Sequence, residues 1–185
     1  MTQVDRVNAA WERIETWYKT TDPTFEFPAG ATAAEITALE THMGLTLPEE
    51  LKVSLTRHNG FPRWVKGDLR TIEEIKEEWN AWAEMVDNGD LEDGGEAGDD
   101  DFKQPSFFDK KWIPIDHNGA GDGFMIDLNP GPKGKAGQIL DFGHEVGAEE
   151  VPAYSDYVAY LEEAADLLEA GEFKLESSGC WKNDQ

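Results

Sequence analysis

The 185-residue sequence has a single cysteine, Cys180, so no intrachain disulfide can form. That usage fits a reducing compartment. No stretch approaches the roughly 18 consecutive apolar residues that a membrane span requires. The first residues, Met1 to Arg6, have no apolar run behind a basic start and do not read as a secretory signal. A soluble, cytoplasmic protein is expected. Basic residues are scarce: 16 Lys and Arg stand against 39 Asp and Glu, a formal net charge of −23. Such a field repels nucleic acid and anionic membrane, and it attracts basic proteins or cations. Solubility, or adaptation to a salty cytoplasm, accounts for the charge equally well.

The signatures of common chemistries are missing too. Gly119, Gly121 and Gly123 are spaced G-x-G-x-G, but Phe124 to Leu128 after them reads as a strand. A dinucleotide fingerprint needs G-x-G-x-x-G opening a helix, so these are turn glycines. Asp116, Asn118, Asp122 and Asp127 loosely resemble a calcium loop, yet Ala120 holds a ligand position and no Glu closes it. His42, His58, His117 and His144 show neither H-x-x-x-H nor His–Cys spacing. Asp116-His117 suggests an acid–base pair, but a turn beside a strand end explains it better. No G-x-S-x-G elbow occurs. The expectation is a protein that is not an enzyme, with no catalytic residue, metal or cofactor.

What the chain does have is aromatic bulk and clear periodicity. Seven Trp and nine Phe supply large buried areas in a length suited to one domain. Between Lys111 and His144 three short apolar runs stand out, Trp112 to Ile115, Phe124 to Leu128 and Gln138 to Phe142, each bounded by Gly, Asn or Pro. They predict an antiparallel meander. Their partial alternation predicts one covered face and one at least partly wet. Around this sheet the spacing predicts helices. Val4, Val7, Trp11, Ile14 and Tyr18 share one helical face. Thr32 with Glu35, and Thr71 with Glu74, form capping boxes. The first opens a helix bearing Ile36, Leu39 and Met43 and ended by Gly44; the second opens one bearing Ile72, Ile75, Trp79, Trp82 and Val86. Pro48 starts a helix with Leu51 and Leu55, closed by His58-Asn59-Gly60. Phe61 to Leu69 reads as a short strand. Ser155 is the expected cap of a last helix bearing Tyr154, Val158, Leu161, Ala165 and Leu168, ended by Gly171.

From Asp87 to Asp101 the chain carries Asp87, Asp90, Glu92, Asp93, Glu96, Asp99, Asp100 and Asp101, no basic residue, four glycines and one large apolar side chain, Leu91. Such a segment buries too little to offset its ordering entropy, so a mobile loop is expected. Two carboxylates about 10 Å apart in water repel by only ~0.4 kcal/mol, so exposure tolerates the cluster. The stretch reads as a solvated loop, or as a surface offering negative charge to a basic partner, with Leu91, Phe107 and Phe108 as nearby apolar anchors. Core packing is the simpler reading for the two Phe. The domain expectation is one unit over 1–176 with an acidic insertion at 87–101, followed by a polar, frayed tail at 177–185.

Several motifs stand in a recognisable order. They are Trp11 to Glu15, Gly30-Ala31-Thr32 with Glu35-Ile36, Leu45 to Leu51, His58-Asn59-Gly60, and Leu69 to Ile75 with Trp79. Then follow Trp112 to Ile115, Asp122, Asp127-Leu128-x-Pro130 and Gly134-x-x-Gly137-Gln138-Ile139. Over roughly residues 10 to 170 this resembles the SUKH superfamily, in the branch of fungal cell-wall-assembly regulators and bacterial toxin-immunity proteins. The family-motif positions include Trp112, Pro114, Asp122, Asp127, Pro130, Gly137 and Gln138. The resemblance implies an α+β fold, with an antiparallel-dominated sheet flanked by N-terminal helices and a C-terminal helix. It also implies action by binding. Bacterial members neutralise a polymorphic toxin, often a nuclease; fungal members act as signalling and wall-assembly regulators. No catalytic set is established for the family, so none carries over. The expectation is an immunity protein that masks the active site of a basic toxin, with an intracellular regulator or scaffold as the alternative.

Overall fold

Three helices begin with the same device. Thr2, Thr32 and Thr71 each accept the backbone N–H three residues on, while Asp5, Glu35 and Glu74 reach back to the Thr N–H. These boxes open α1 (Gln3–Thr21), α2 (Ala33–Met43) and α4 (Ile72–Asn88). Gly44 and Gly89, both left-handed, end α2 and α4. Pro48 precedes α3 (Glu49–Arg57), and α5 covers Tyr157–Glu169. The cap of α5 is Asp156, whose carboxylate accepts from the Ala159 N–H at 2.9 Å; Ser155, the expected cap, lies one residue outside. The structure is a computed structural model and describes residues 1–65, 67–91, 102–176 and 179–182.

The strands are β1 (Phe61–Trp64), β2 (Gly67–Leu69), β3 (Trp112–Pro114), β4 (Asp116–His117), β5 (Gly123–Asp127), β6 (Gln138–Gly143), β7 (Gly147–Ala148), β8 (Phe173–Glu176) and β9 (Gly179–Lys182). All pairings between them are antiparallel, in the orders β1-β2-β4, β3-β5-β6-β7 and β8-β9. This is the expected α+β class and the expected meander. The strand anticipated at Phe61 to Leu69 is a hairpin of two. Ile115 links the first two sheets, donating to the Phe124 carbonyl and accepting from the Arg70 N–H.

Register decides which residues share a face. Ile113, Ile126 and Ile139 lie abreast across β3, β5 and β6, and join the main core with Trp11, Ile14, Val158 and Leu161 of α1 and α5. Fully burying an aliphatic side chain of this size contributes about 1.5–3 kcal/mol. The Arg6–Glu162 and Arg13–Glu169 pairs that also join α1 to α5 are partly exposed and contribute about 0–1 kcal/mol each. Apolar packing therefore holds this helix pair.

The other face of the sheet is not wet. Trp112, Met125, Leu140 and Phe142 are buried there with Phe108, and Trp79, Trp82, Val86, Leu91 and Phe107 pack over them. Helix α4 and the segment after residue 101 cover this face, with Trp79 Nε1 donating to the Lys110 carbonyl. The alternation of β5 was incomplete because Met125 and Asp127 face a second layer, not solvent.

The tail also differs from expectation. Gly179–Lys182 pairs with β8, and Cys180 is buried against the main core. Burial pushes the Cys180 thiol up to about 11, which leaves it protonated and unreactive.

Candidate functional site

The motif positions prove to be parts of the architecture. Trp112, Asp127 and Gln138 stand abreast on the outer face of β3, β5 and β6. Trp112 Nε1 donates to Asp127 Oδ1 at 3.0 Å, and Gln138 Nε2 donates to Oδ2 at 2.9 Å. The Asn129 N–H adds a third bond, at 2.7 Å. Asp127 is fully buried, and burial raises its carboxyl above the ordinary value despite these donors. Gln138 also donates to the Phe102 carbonyl and accepts from the Lys135 N–H, so it fastens the returning chain to the sheet. Gly137 sits at φ 93°, where a side chain is strained, and its N–H reaches the Asp127 carbonyl at 2.7 Å. Pro114 is buried in β3, and the Pro130 carbonyl accepts from Gln104.

Asp122 has a different task. Its carboxylate accepts from Asn118 and bonds His144 Nδ1 at 2.8 Å, clamping two turns together. The His144 bond holds the Asp122 carboxyl below its usual value, and Asp122 holds His144 above its own. Both are exposed.

The acidic stretch divides. Asp87 belongs to the last turn of α4 and pairs with Lys110. Asp90 is exposed just beyond the Gly89 cap, its N–H bonded to the Met85 carbonyl. Glu92, Asp93, Glu96, Asp99, Asp100 and Asp101 lie outside the described residues. Of the two anticipated anchors, Phe108 is core, whereas Phe107 is half-buried against Trp82 and Phe142.

The remaining candidate groups are engaged separately. Asp116 does not pair with His117; its carboxylate accepts from the Tyr160 hydroxyl and the Phe124 N–H, each at 2.6 Å. His58 closes α3 and bonds the Pro28 carbonyl and Glu15. Burial opposes ionisation of Glu15, but Arg57 and His58 outweigh it and hold the carboxyl low. His42 bonds Asn80. Among the described residues no group of three His, Cys, Asp or Glu could hold a metal ion, and no helix is long and apolar enough to cross a membrane.

Two surface features had no signal in local spacing. The first is a groove of about 480 Å³ between the β1–β2 hairpin, the turn after β4 and the β8–β9 hairpin, lined in part by Arg63, Asp68, His117, Phe173 and Lys182. Arg63 beside it has φ 59°, a conformation that costs a non-glycine residue roughly 1–2 kcal/mol. It is held there by bonds to Asp68 and from Tyr18. The second is an apolar strip on the α4 side, running from Trp82 across Phe107 to the β6–β7 turn.

A helix-flanked antiparallel α+β domain, with its buried Asp116, Asp127 and Gln138 bonded to neighbouring side chains, defines the class. The chain belongs to the SMI1/KNR4 family (SUKH-1), whose family model matches residues 30–163. It is 29% identical to the cell wall biosynthesis/cell cycle regulator smi1 of Schizosaccharomyces pombe, over 84% of this chain and 35% of that protein. It is 26% identical to a glucan synthesis regulatory protein of Neurospora crassa, over 89% of this chain and 39% of that protein. To the cell wall assembly regulator SMI1 of Saccharomyces cerevisiae it is 24% identical, over 90% of this chain and 41% of that protein. The chain thus spans well under half the length of these relatives.

Proposed function

We propose that this chain is a non-catalytic, protein-binding regulatory module of the cell-wall-assembly-regulator type, acting inside the cell. The observation that carries the reading is the likeness to proteins named as wall and glucan-synthesis regulators, which runs over 84 to 90% of this chain. The geometry is consistent with it. Trp112, Asp127 and Gln138 are consumed by each other, and Asp116 by Tyr160, so these polar groups build the domain and leave its surface for recognition.

Toxin neutralisation is the second reading. The net charge of −23 favours it, because that field suits a basic target such as a nuclease. One experiment separates the two. The tagged chain is used to capture partners from lysate of its own organism at low and high salt, with mass spectrometry as the readout. Several sub-stoichiometric signalling or wall-assembly proteins are the expected result. A single tight, basic, toxin-like partner would establish neutralisation instead. An empty capture at both salts would sink both.

A further inference from the structure

We propose that the strip formed by Trp82, Phe107 and Val146 is the docking surface for a partner segment that is apolar in its middle and basic at its flanks. This deepens the binding-module reading and rests on it.

The strip is built on Phe142 and the β6–β7 turn. The Trp82 and Phe107 rings lie 5.7 Å apart, and both rest on Phe142 beneath. The Phe107 ring reaches 3.4 Å from where a Cβ on Gly147 would stand, and Val146, the preceding residue, is 76% exposed. Met85, three residues beyond Trp82 on α4, is 36% exposed. One exposed Val means little by itself. Here it adjoins Gly147, beside which lies the first of two half-buried aromatic rings, the residue type that most often anchors an interface.

Carboxylates stand on both sides of the strip. Glu145 and Glu149 flank Val146 on the β6–β7 side. Glu78 bonds the Trp82 indole, and Asp87 and Asp90 follow at the end of α4 and just past its cap. Lys110 answers Asp87 and Arg70 answers Glu78, but Asp90 and Glu149 have no ion pair among the described residues. An apolar centre inside an acidic rim selects its partner by charge: Lys or Arg at the flanks gains on-rate and register. A second copy of this chain is disfavoured, because a two-fold contact would set this rim against itself.

The test uses the full chain and a short Leu/Lys peptide with a helical apolar stripe, with a Leu/Glu peptide of the same pattern as control. Amide and indole chemical shifts locate the contact. The expected result is perturbation centred on Trp82, Phe107 and Val146 for the Leu/Lys peptide alone. Binding should weaken about tenfold in Val146→Asp. That substitution sits at an exposed position, so an unchanged amide spectrum elsewhere is expected. Glu149→Lys should weaken binding as well, while Glu172→Lys, on the exposed loop after α5, should not. Shifts spread over other acidic surfaces, binding that Val146→Asp leaves unchanged, equal binding of the Leu/Glu peptide, no binding, or self-association through this strip would each overturn the proposal. Repeating the lysate capture with Val146→Asp separates the two levels. Partners retained by that variant would refute the strip and leave the regulatory reading standing.

Discussion

The Tyr160 hydroxyl donates to Asp116 Oδ2 at 2.6 Å and accepts from Trp64 Nε1 at 2.7 Å. One buried oxygen thus joins α5 to β4 and β1. Burial, reinforced by the neighbouring Asp116 charge, keeps the Tyr160 phenol far above its ordinary pKa, so it remains a donor. Tyr160→Phe removes the hydroxyl, which takes the acceptor from Trp64 Nε1 and one donor from Asp116, whose bond from the Phe124 N–H stays. A loss of roughly 1–3 kcal/mol in unfolding free energy is expected from urea denaturation. A neutral result would mean that Asp116 finds another donor.

Asp127 predicts a pH signature. Its carboxyl is raised in the fold, so its contribution to stability is full below the unfolded-state pKa and fades as pH rises through the higher folded value. Asp127→Asn abolishes that titration. It also sets an amide against donors that a carboxylate accepted. The variant should be less stable by roughly 1–3 kcal/mol, with the gap to wild type narrowing as pH rises through that window. Stability curves recorded across acidic to neutral pH check this; a gap that widens would refute it.

The Asp122–His144 clamp titrates the other way at one end. The lowered Asp122 carboxyl supports the turn above its unfolded pKa and loses that support as pH falls through the folded value. The raised His144 supports it below the unfolded pKa and loses that as pH rises through the folded value. The clamp is therefore strongest between the two. In Asp122→Asn, the His144 midpoint followed by NMR should drop back toward its ordinary value. An unchanged midpoint would show that Asp122 is not its partner in solution.

Two glycines should respond unequally to alanine. A Cβ on Gly30 would lie 1.6 Å from the Thr56 carbonyl oxygen, so the joint into α2 and the end of α3 must move apart. At Gly44 the surroundings are open, and only the left-handed φ of 66° is at stake. Gly44→Ala should cost about 1 kcal/mol. Gly30→Ala should cost distinctly more, in the upper part of the roughly 1–3 kcal/mol range of overpacked sites or beyond it. Thermal unfolding of the pair provides the comparison.

How far the site was legible follows from these same residues. Trp112, Asp127 and Gln138 are motif positions, but their spacing does not show that they form one row. That follows from strand register, set across gaps of 15 and 11 residues. Tyr160, Asp116 and Trp64 have no local pattern as a group, because their bonds span 44 and 96 residues. Neighbours in sequence, Phe107 and Phe108 divide between a half-buried position and the core, and both pack on Phe142.

The sequence by itself determined the features that depend on neighbours. Thr32 with Glu35 and Thr71 with Glu74 set two helix starts, Gly44 set a stop, and the apolar runs of the meander set three strands. Each of these is closed by bonds or conformational limits acting over a few residues. Only the tertiary structure decided that α4 and the segment after residue 101 would cover the second face of the sheet, that Gly179–Lys182 would pair with β8, and that Asp127 would be interior. Those outcomes depend on which apolar surfaces meet once distant segments come together. Burial is a property of that meeting, not of any residue's local pattern.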